Sequence, residues 1–202
     1  MWACQEATIE PATRPVTVTE QNDKIVTINI QPFQDLSNEK VSYIFHELSK
    51  IYPKLALKNS IELPPEAFYK PRKRYRADTI IYYLRKITPS DEITIGLTAK
   101  DISTSKDDIK DYGVMGLGYQ PGRSCVVSTF RLSKTNLREQ LFKVAVHELG
   151  HTFGLPHCPS NHCYMRDAKG KNHANEENDF CKTCKTFLIT KGWKLTEKKL
   201  VQ

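Results

Sequence analysis

His147-Glu148-Leu149-Gly150-His151-Thr152-Phe153-Gly154-Leu155-Pro156-His157 is the stretch from which the rest of the chain is read. Histidines four apart fall on one face of a helix, one turn above each other, so both imidazoles can meet one metal ion. Glu148, one position along, points beside that metal and is placed to take a proton from a metal-bound water. Gly154 accepts the left-handed conformation of a sharp turn and so ends the helix. The turn brings His157 back as a third ligand. Three protein ligands leave a fourth position open, which marks a catalytic zinc rather than a structural one. The competing reading is a surface helix that happens to carry two histidines and a glutamate. H-E-x-x-H alone leaves that reading open, whereas the extended H-E-x-x-H-x-x-G-x-x-H form rarely arises by chance.

Cys158 follows His157 directly, and Cys163, Met165, Cys181 and Cys184 come after it. Four thiols in two close pairs have the sequence form of a closed, tetrahedral, all-thiolate zinc site. Two disulfides in an oxidised protein are the alternative; the C-x2-C spacing fits zinc better. The helix motif is the metzincin signature. Joined to H-C-x4-C-x-M and a later C-x2-C, it resembles the archaemetzincins, a family of zinc metallopeptidases. The resemblance runs from about Lys24 to the C-terminus and is most specific in the motif block. It implies that His147, His151 and His157 bind a catalytic zinc, with Glu148 as the general base. It further implies that Cys158, Cys163, Cys181 and Cys184 bind a structural zinc, giving two Zn2+ per chain. Met165 becomes the methionine of a Met-turn beneath the catalytic metal. Tyr164, beside it, is either a helper in catalysis or a packing residue.

A chain of 202 residues is long enough for one domain with a real core. Its 39% hydrophobic and 26% charged residues are those of an ordinary soluble globular protein. No run is long enough to span a membrane. The net charge of +7 permits attraction to acidic partners, but no nucleic-acid motif accompanies it. Residues 1–23, with Pro11 and Pro15 among threonines and glutamates, read as a flexible leader. Ala3-Cys4 could be a trimmed lipoprotein junction or a plain tail. A cytoplasmic location is the expectation, with lipid anchoring or export through Cys4 as the alternative. The resemblance implies that residues 24–202 form a single catalytic domain, with 24–154 above a cleft and 155–202 below it.

The alternating, β-branched run Lys24 to Ile30 predicts a first strand. Val41, Ile44, Phe45, Leu48 and Ile51 predict a helix over 37–52, with His46 and Glu47 on its solvated face. Leu57 to Leu63 reads as a second strand closed by Pro64-Pro65. The basic run Tyr69 to Arg76 reads as a solvated loop rather than a binding patch. Ala77 to Ile87 predicts a helix with Ile80, Ile81, Leu84 and Ile87 inward, and Glu92 to Thr98 a buried strand. This alternation implies a mainly parallel sheet with right-handed crossovers. Asp101, Asp107, Asp108 and Asp111 lack calcium-loop spacing and read as a polar loop. Val114 to Tyr119 and Cys125 to Phe130 flank Pro121-Gly122 as a hairpin, with Cys125 a buried free thiol. Asn136 and Glu139 form a capping box for the active-site helix, whose stripe is Leu137, Leu141, Val144, Ala145 and Leu149. Phe180 to Trp193 predicts a last helix, and His162 and His173 are expected on the surface.

The fold class is therefore α/β, a twisted mixed β-sheet with helices over a small zinc-stapled C-terminal subdomain, expected as a monomer. The expected function is hydrolysis of peptide bonds in a peptide or protein substrate by a zinc-bound water, with Glu148 as general base. Val114 to Tyr119 is expected at a sheet edge, where Gly116 and Gly118 let a substrate backbone approach. Two rivals stand beside this. One is a catalytically silent zinc protein that binds peptides, against which the intact Glu148 argues. The other is a nucleic-acid module built on the four-cysteine zinc, which would show salt-dependent binding and indifference to Glu148.

Overall fold

The computed structural model describes residues 25–196. The leader and Cys4 lie outside the described residues. The central strands are β1 (Thr27–Pro32), β5 (Glu92–Thr98) and β9 (Ser124–Ser128), all parallel. Two short strands flank them: β2 (Leu55–Leu57), parallel to β1, and β8 (Gly116–Gly118), antiparallel to β9. The order is β2-β1-β5-β9-β8, so β8 is an edge strand, as its sequence led us to expect.

Parallel strands buried on both faces carry apolar residues on both sides of the pleat. Along β9, Cys125 and Val127 face the larger core, shared with α1 (Asn38–Ile51) and α3 (Leu137–Phe153). Val126, between them, faces the smaller core under α2 (Ala77–Ile87). Helices thus cover both faces of the sheet, and α3 packs against β9 and β8. Gln140, Lys143 and Glu148 on α3 are buried along with its apolar residues. A helix enclosed on nearly every side holds its side chains in one place, which is what a metal site needs.

A second sheet, of order β3-β4-β6-β7, contains elements that the polar sequence did not suggest. Its strands are β3 (Phe68–Tyr69), β4 (Arg74–Arg76), β6 (Ile102–Lys106) and β7 (Ile109–Val114). The expected aspartate loop is instead a hairpin of β6 and β7, with Asp107 at its turn in the left-handed region (φ 50°). Asp101 and Asp111 hold it down through Arg74, whose Nε lies 2.7 Å from Asp101 and whose Nη1 lies 3.0 Å from Asp111. Arg131 also grips Asp101, at 2.9 Å. Much of the basic run is therefore spent on internal ion pairs.

Other boundaries also move. The second strand covers only Leu55–Leu57, and Ile61 keeps a single bridge to Phe33. Ile87 is exposed rather than inward because α2 ends there, and Thr88 turns in to bond the Leu84 carbonyl at 2.6 Å. The capping box does not form. Asn136 makes no side-chain cap bond, and Glu139 pairs with Lys143 at 2.6 Å. The last helix, α4 (Lys182–Thr190), is shorter than expected, with Cys181 at its N-terminal boundary.

Candidate active site and metal centres

Helix α3 ends where its sequence dictates. Gly154 sits at φ 110°, its N–H bonds back to the His151 carbonyl, and the Leu155 N–H reaches the Gly150 carbonyl at 2.9 Å. This pair of bonds is a Schellman termination, and it reverses the chain so that His157 returns beside the helix. The three imidazole rings cluster, with centroids 4.7, 5.5 and 4.8 Å apart.

The hydrogen bonds fix the tautomers. His147 Nδ1 lies 2.6 Å from the Tyr164 carbonyl, and His151 Nδ1 lies 2.8 Å from the Leu155 carbonyl. A carbonyl only accepts, so each Nδ1 carries the proton and donates. Both Nε2 atoms are left with bare lone pairs, and they face each other at 3.1 Å. Two such lone pairs repel unless a cation lies between them. Nitrogens about 2.0–2.1 Å from one tetrahedral zinc stand about 3.3 Å apart, so the observed spacing fits that ion. Burial pushes the His147 pKa down to about 3, and the neighbouring His151 adds to the effect. That keeps the ring in the neutral form a metal requires.

Glu148 reaches toward β8 and lines the same cleft as the three histidines. A Cβ built on Gly116 would lie 2.5 Å from Glu148 Oε1, and one on Gly118 would lie 2.7 Å from the Glu148 carbonyl oxygen. The two glycines therefore make room for Glu148 itself, a correction to the expectation that they make room for substrate. The Gly118 N–H donates to the Glu148 carboxylate, while burial pushes the carboxyl up to about 8. Met165, fully buried, lies against Gly150, between the two histidine turns of the helix.

Cys158, Cys163, Cys181 and Cys184 converge in a second cluster, with all four Sγ atoms within 4.8 Å of one another. All are free thiols, so the disulfide alternative does not form. Cys158 and Cys181 Sγ are 3.7 Å apart. Sulfurs on one tetrahedral zinc, each about 2.3 Å away, are separated by about 3.8 Å. The Cys163 thiol is pushed down to about 5, first by its hydrogen bond with Cys184 and further by the backbone N–H groups of Cys181 and Met165. A thiolate is the form that binds a metal.

The side chains of the other residues singled out by sequence take no part in the two clusters. Tyr164 packs: its ring meets Phe142 and Phe180, and its hydroxyl donates to the Asn178 carbonyl at 2.8 Å. His162 is exposed, whereas His173 is half-buried in the cleft wall, 3.2 Å from Glu176. His46 is exposed and Glu47 pairs with Lys50 at 2.6 Å.

A cleft of about 730 Å³ runs over the histidines, with β8 and the β6–β7 hairpin on one side and residues 166–177 on the other. Sequence reasoning anticipated the β8 edge but missed the β6–β7 hairpin and the 166–177 segment. Ile102, Thr104 and Ile109 around the Lys106-Asp107-Asp108 turn were the available signal for the hairpin.

A parallel α/β layer with an antiparallel edge strand above an H-E-x-x-H helix defines a metallopeptidase. Residues 23–190 match the family model of peptidase family M54. The archaemetzincin of Halobacterium salinarum is 29% identical over 176 residues, which cover 80% of this chain and 99% of that protein. That of Archaeoglobus fulgidus is 30% identical over 162 residues, covering 78% and 95%. The crystal structure of the Archaeoglobus fulgidus archaemetzincin complexed with malonate superposes with a TM-score of 0.69 at 28% identity, covering 80% of this chain and 99% of that one. The Methanopyrus kandleri archaemetzincin gives 0.70 at 26% identity, covering 86% and 98%. The chain therefore belongs to peptidase family M54, the archaemetzincins, and is a zinc metallopeptidase.

Proposed function

We propose that this chain hydrolyses peptide bonds with Glu148 as general base, at a zinc held by His147, His151 and His157. Cys158, Cys163, Cys181 and Cys184 would hold a second, structural zinc. The observation that carries the reading is the pair of unprotonated Nε2 atoms 3.1 Å apart, with the glutamate on the adjacent helix position beneath an edge strand. Zinc, when bound there, supplies Lewis acidity that acidifies water toward neutral pH and polarises a carbonyl. Glu148 accepts the proton of the attacking water and hands it to the departing amine. Gly118, through its N–H, holds the carboxylate in place for both transfers. The free side of β8 supplies backbone groups along which an extended peptide can lie. The four-thiolate centre ties the segment carrying Met165 to α4 and so fixes the floor beneath the histidines.

Incubation with a diverse peptide library, with products read by mass spectrometry, tests this reading. Wild type should release defined fragments and Glu148→Ala should not. Equal product from both proteins would overturn the role of Glu148.

A further inference from the structure

One end of the cleft carries chemistry that the hydrolytic step leaves unused. Tyr112, on β7, reaches across to the segment that follows Met165. A Cβ built on Gly170 would stand 2.6 Å from its hydroxyl oxygen, so the ring already touches the opposite backbone and walls off this end. Among the described residues, that hydroxyl has no hydrogen-bond partner. Lys106 Nζ stands 5.1 Å from the Tyr112 ring centroid, and Lys169 and Lys171 approach from the other wall. None of the three lysines forms a salt bridge among the described residues.

The remaining charges at this end have partners. Arg131 is committed to Asp101, and Arg166 to Glu176. Glu177 feels Lys143 and Arg166. Asp167 accepts the Lys169 backbone N–H at 3.0 Å, and that bond, with smaller pulls from His157, Lys106 and Lys169, holds its carboxyl below the usual range. Asp107 and Asp108 form the exposed hairpin turn, outside the cleft lining. Three ammonium groups thus stand against one carboxylate, beside a free phenolic donor. A surplus of positive charge over one already bonded carboxylate, with a hydroxyl donor beside it, favours an anion, and in a peptide the anion is a carboxylate.

We propose that Tyr112, Lys106, Lys169 and Lys171 form a carboxylate-recognising subsite, so that peptides carrying an acidic side chain or a free C-terminal carboxylate at this end of the cleft are the favoured substrates. The proposal rests on the peptidase reading above and adds a substrate class to it. Tyr112 donates its O–H, and the lysines supply charge from both walls.

The test uses one peptide series with Glu, Gln or Lys at each position in turn, each made with a free or amidated C-terminus. kcat/KM is measured on the zinc-loaded protein, and Kd on Glu148→Ala protein by fluorescence anisotropy. At one position, or at the C-terminus, the carboxylate should be preferred about tenfold over its neutral isostere, and high salt should shrink the preference. The combined Lys106→Gln, Lys169→Gln and Lys171→Gln variant should bring the ratio near one, and Tyr112→Phe should lower it about two- to threefold. A Glu/Gln preference identifies a side-chain carboxylate; an acid/amide preference identifies the terminal one. Equal handling of charged and neutral peptides overturns the subsite, as does a preference that survives in the triple variant. Failure of the peptidase reading looks different: nothing is cleaved, or Glu148→Ala cleaves as fast as wild type, and the subsite then stands or falls on the Kd ratios.

Discussion

Glu148 occupies a space that exists only because β8 carries glycine at Gly116 and Gly118. The sequence placed this residue correctly beside the histidines but misjudged those glycines. Helical spacing says which side chains share a face, whereas only packing says what lies above them. A methyl group at Gly116 would press on Glu148 along its side, 2.5 Å from Oε1 and 2.6 Å from Cγ, and that flexible side chain would yield before the strand does. Gly116→Ala should therefore keep its zinc and its fold while turnover drops by about tenfold or more, the scale for a misplaced acid–base group. Metal analysis beside a kinetic assay checks it, and unaltered turnover would mean that Glu148 has room to spare. Glu148→Ala should likewise retain its zinc yet lose roughly a hundredfold or more in kcat/KM. His151→Ala removes a ligand from the cluster and should lose the metal of that site. Loss of metal from Glu148→Ala would show that the carboxylate supports the ion rather than the proton transfer.

Between elements, the decisive contact is the one that ties residues 166–177 to α3. Gln140 accepts from Ser133 N at 2.8 Å and Asn172 at 2.9 Å, and donates to Asn175 at 2.7 Å. Lys143, one turn before His147, donates to the Ala174 carbonyl at 2.8 Å. One wall of the cleft is thus latched to the helix that carries the histidines. Glu177 is buried in this latch, and burial pushes its carboxyl up from 4.5 to about 7. A raised folded-state value means that the fold prefers the protonated form. The contribution to stability is fully present below pH 4.5 and is lost as pH rises through about 7. Glu177→Gln, which stays neutral, should raise the Tm at pH 8 and leave it nearly unchanged at pH 5; scanning calorimetry at both values reads the difference. A uniform shift at the two pH values would mean that volume or hydrogen bonding, not charge, sets the effect. The latch also explains what the sequence concealed. Helix α2 and strand β5 were legible from apolar periodicity, and α3 from its motif, because burial imposes those patterns. The β6–β7 hairpin was not, because its strands are held by Arg74 and Arg131 gripping Asp101 and Asp111, and ion pairs across a fold leave no periodic trace. Asn136 and Glu139 had the spacing of a capping box, yet Glu139 is drawn to Lys143 and Asn136 bonds Asn175.

At the scale of the whole molecule, the two side-chain clusters differ in what surrounds them. The histidine cluster opens onto the cleft, and its third member, His157, is exposed. The cysteine cluster is set into the larger core beside Phe180, Leu188 and Trp193. Lys185, in the turn after Cys184, bonds Asp179 at 2.7 Å and the Thr196 carbonyl at 2.8 Å, which ties the last described residues to the same region. Both clusters were legible as spacings, because ligand spacing follows from coordination chemistry and not from tertiary packing. Their unequal exposure was not legible. It leads to a definite order of loss. A mild chelator should remove the metal of the open, neutral-ligand site first, abolishing peptide hydrolysis while the Tm stays close to that of the loaded protein. The thiolate site should resist until harsher chelation or thiol modification. Its loss should then unfold the C-terminal region, since ligand binding there is folding free energy. Trp193, only 2% exposed and in edge contact with Phe180, reports that step through its fluorescence. Metal analysis, activity and fluorescence along one chelation series should therefore show activity vanishing at the first metal and Trp193 fluorescence changing at the second. A single metal per chain in the fresh protein, or both metals leaving together from a chain that stays folded, would overturn the assignment of a separate structural zinc to Cys158, Cys163, Cys181 and Cys184.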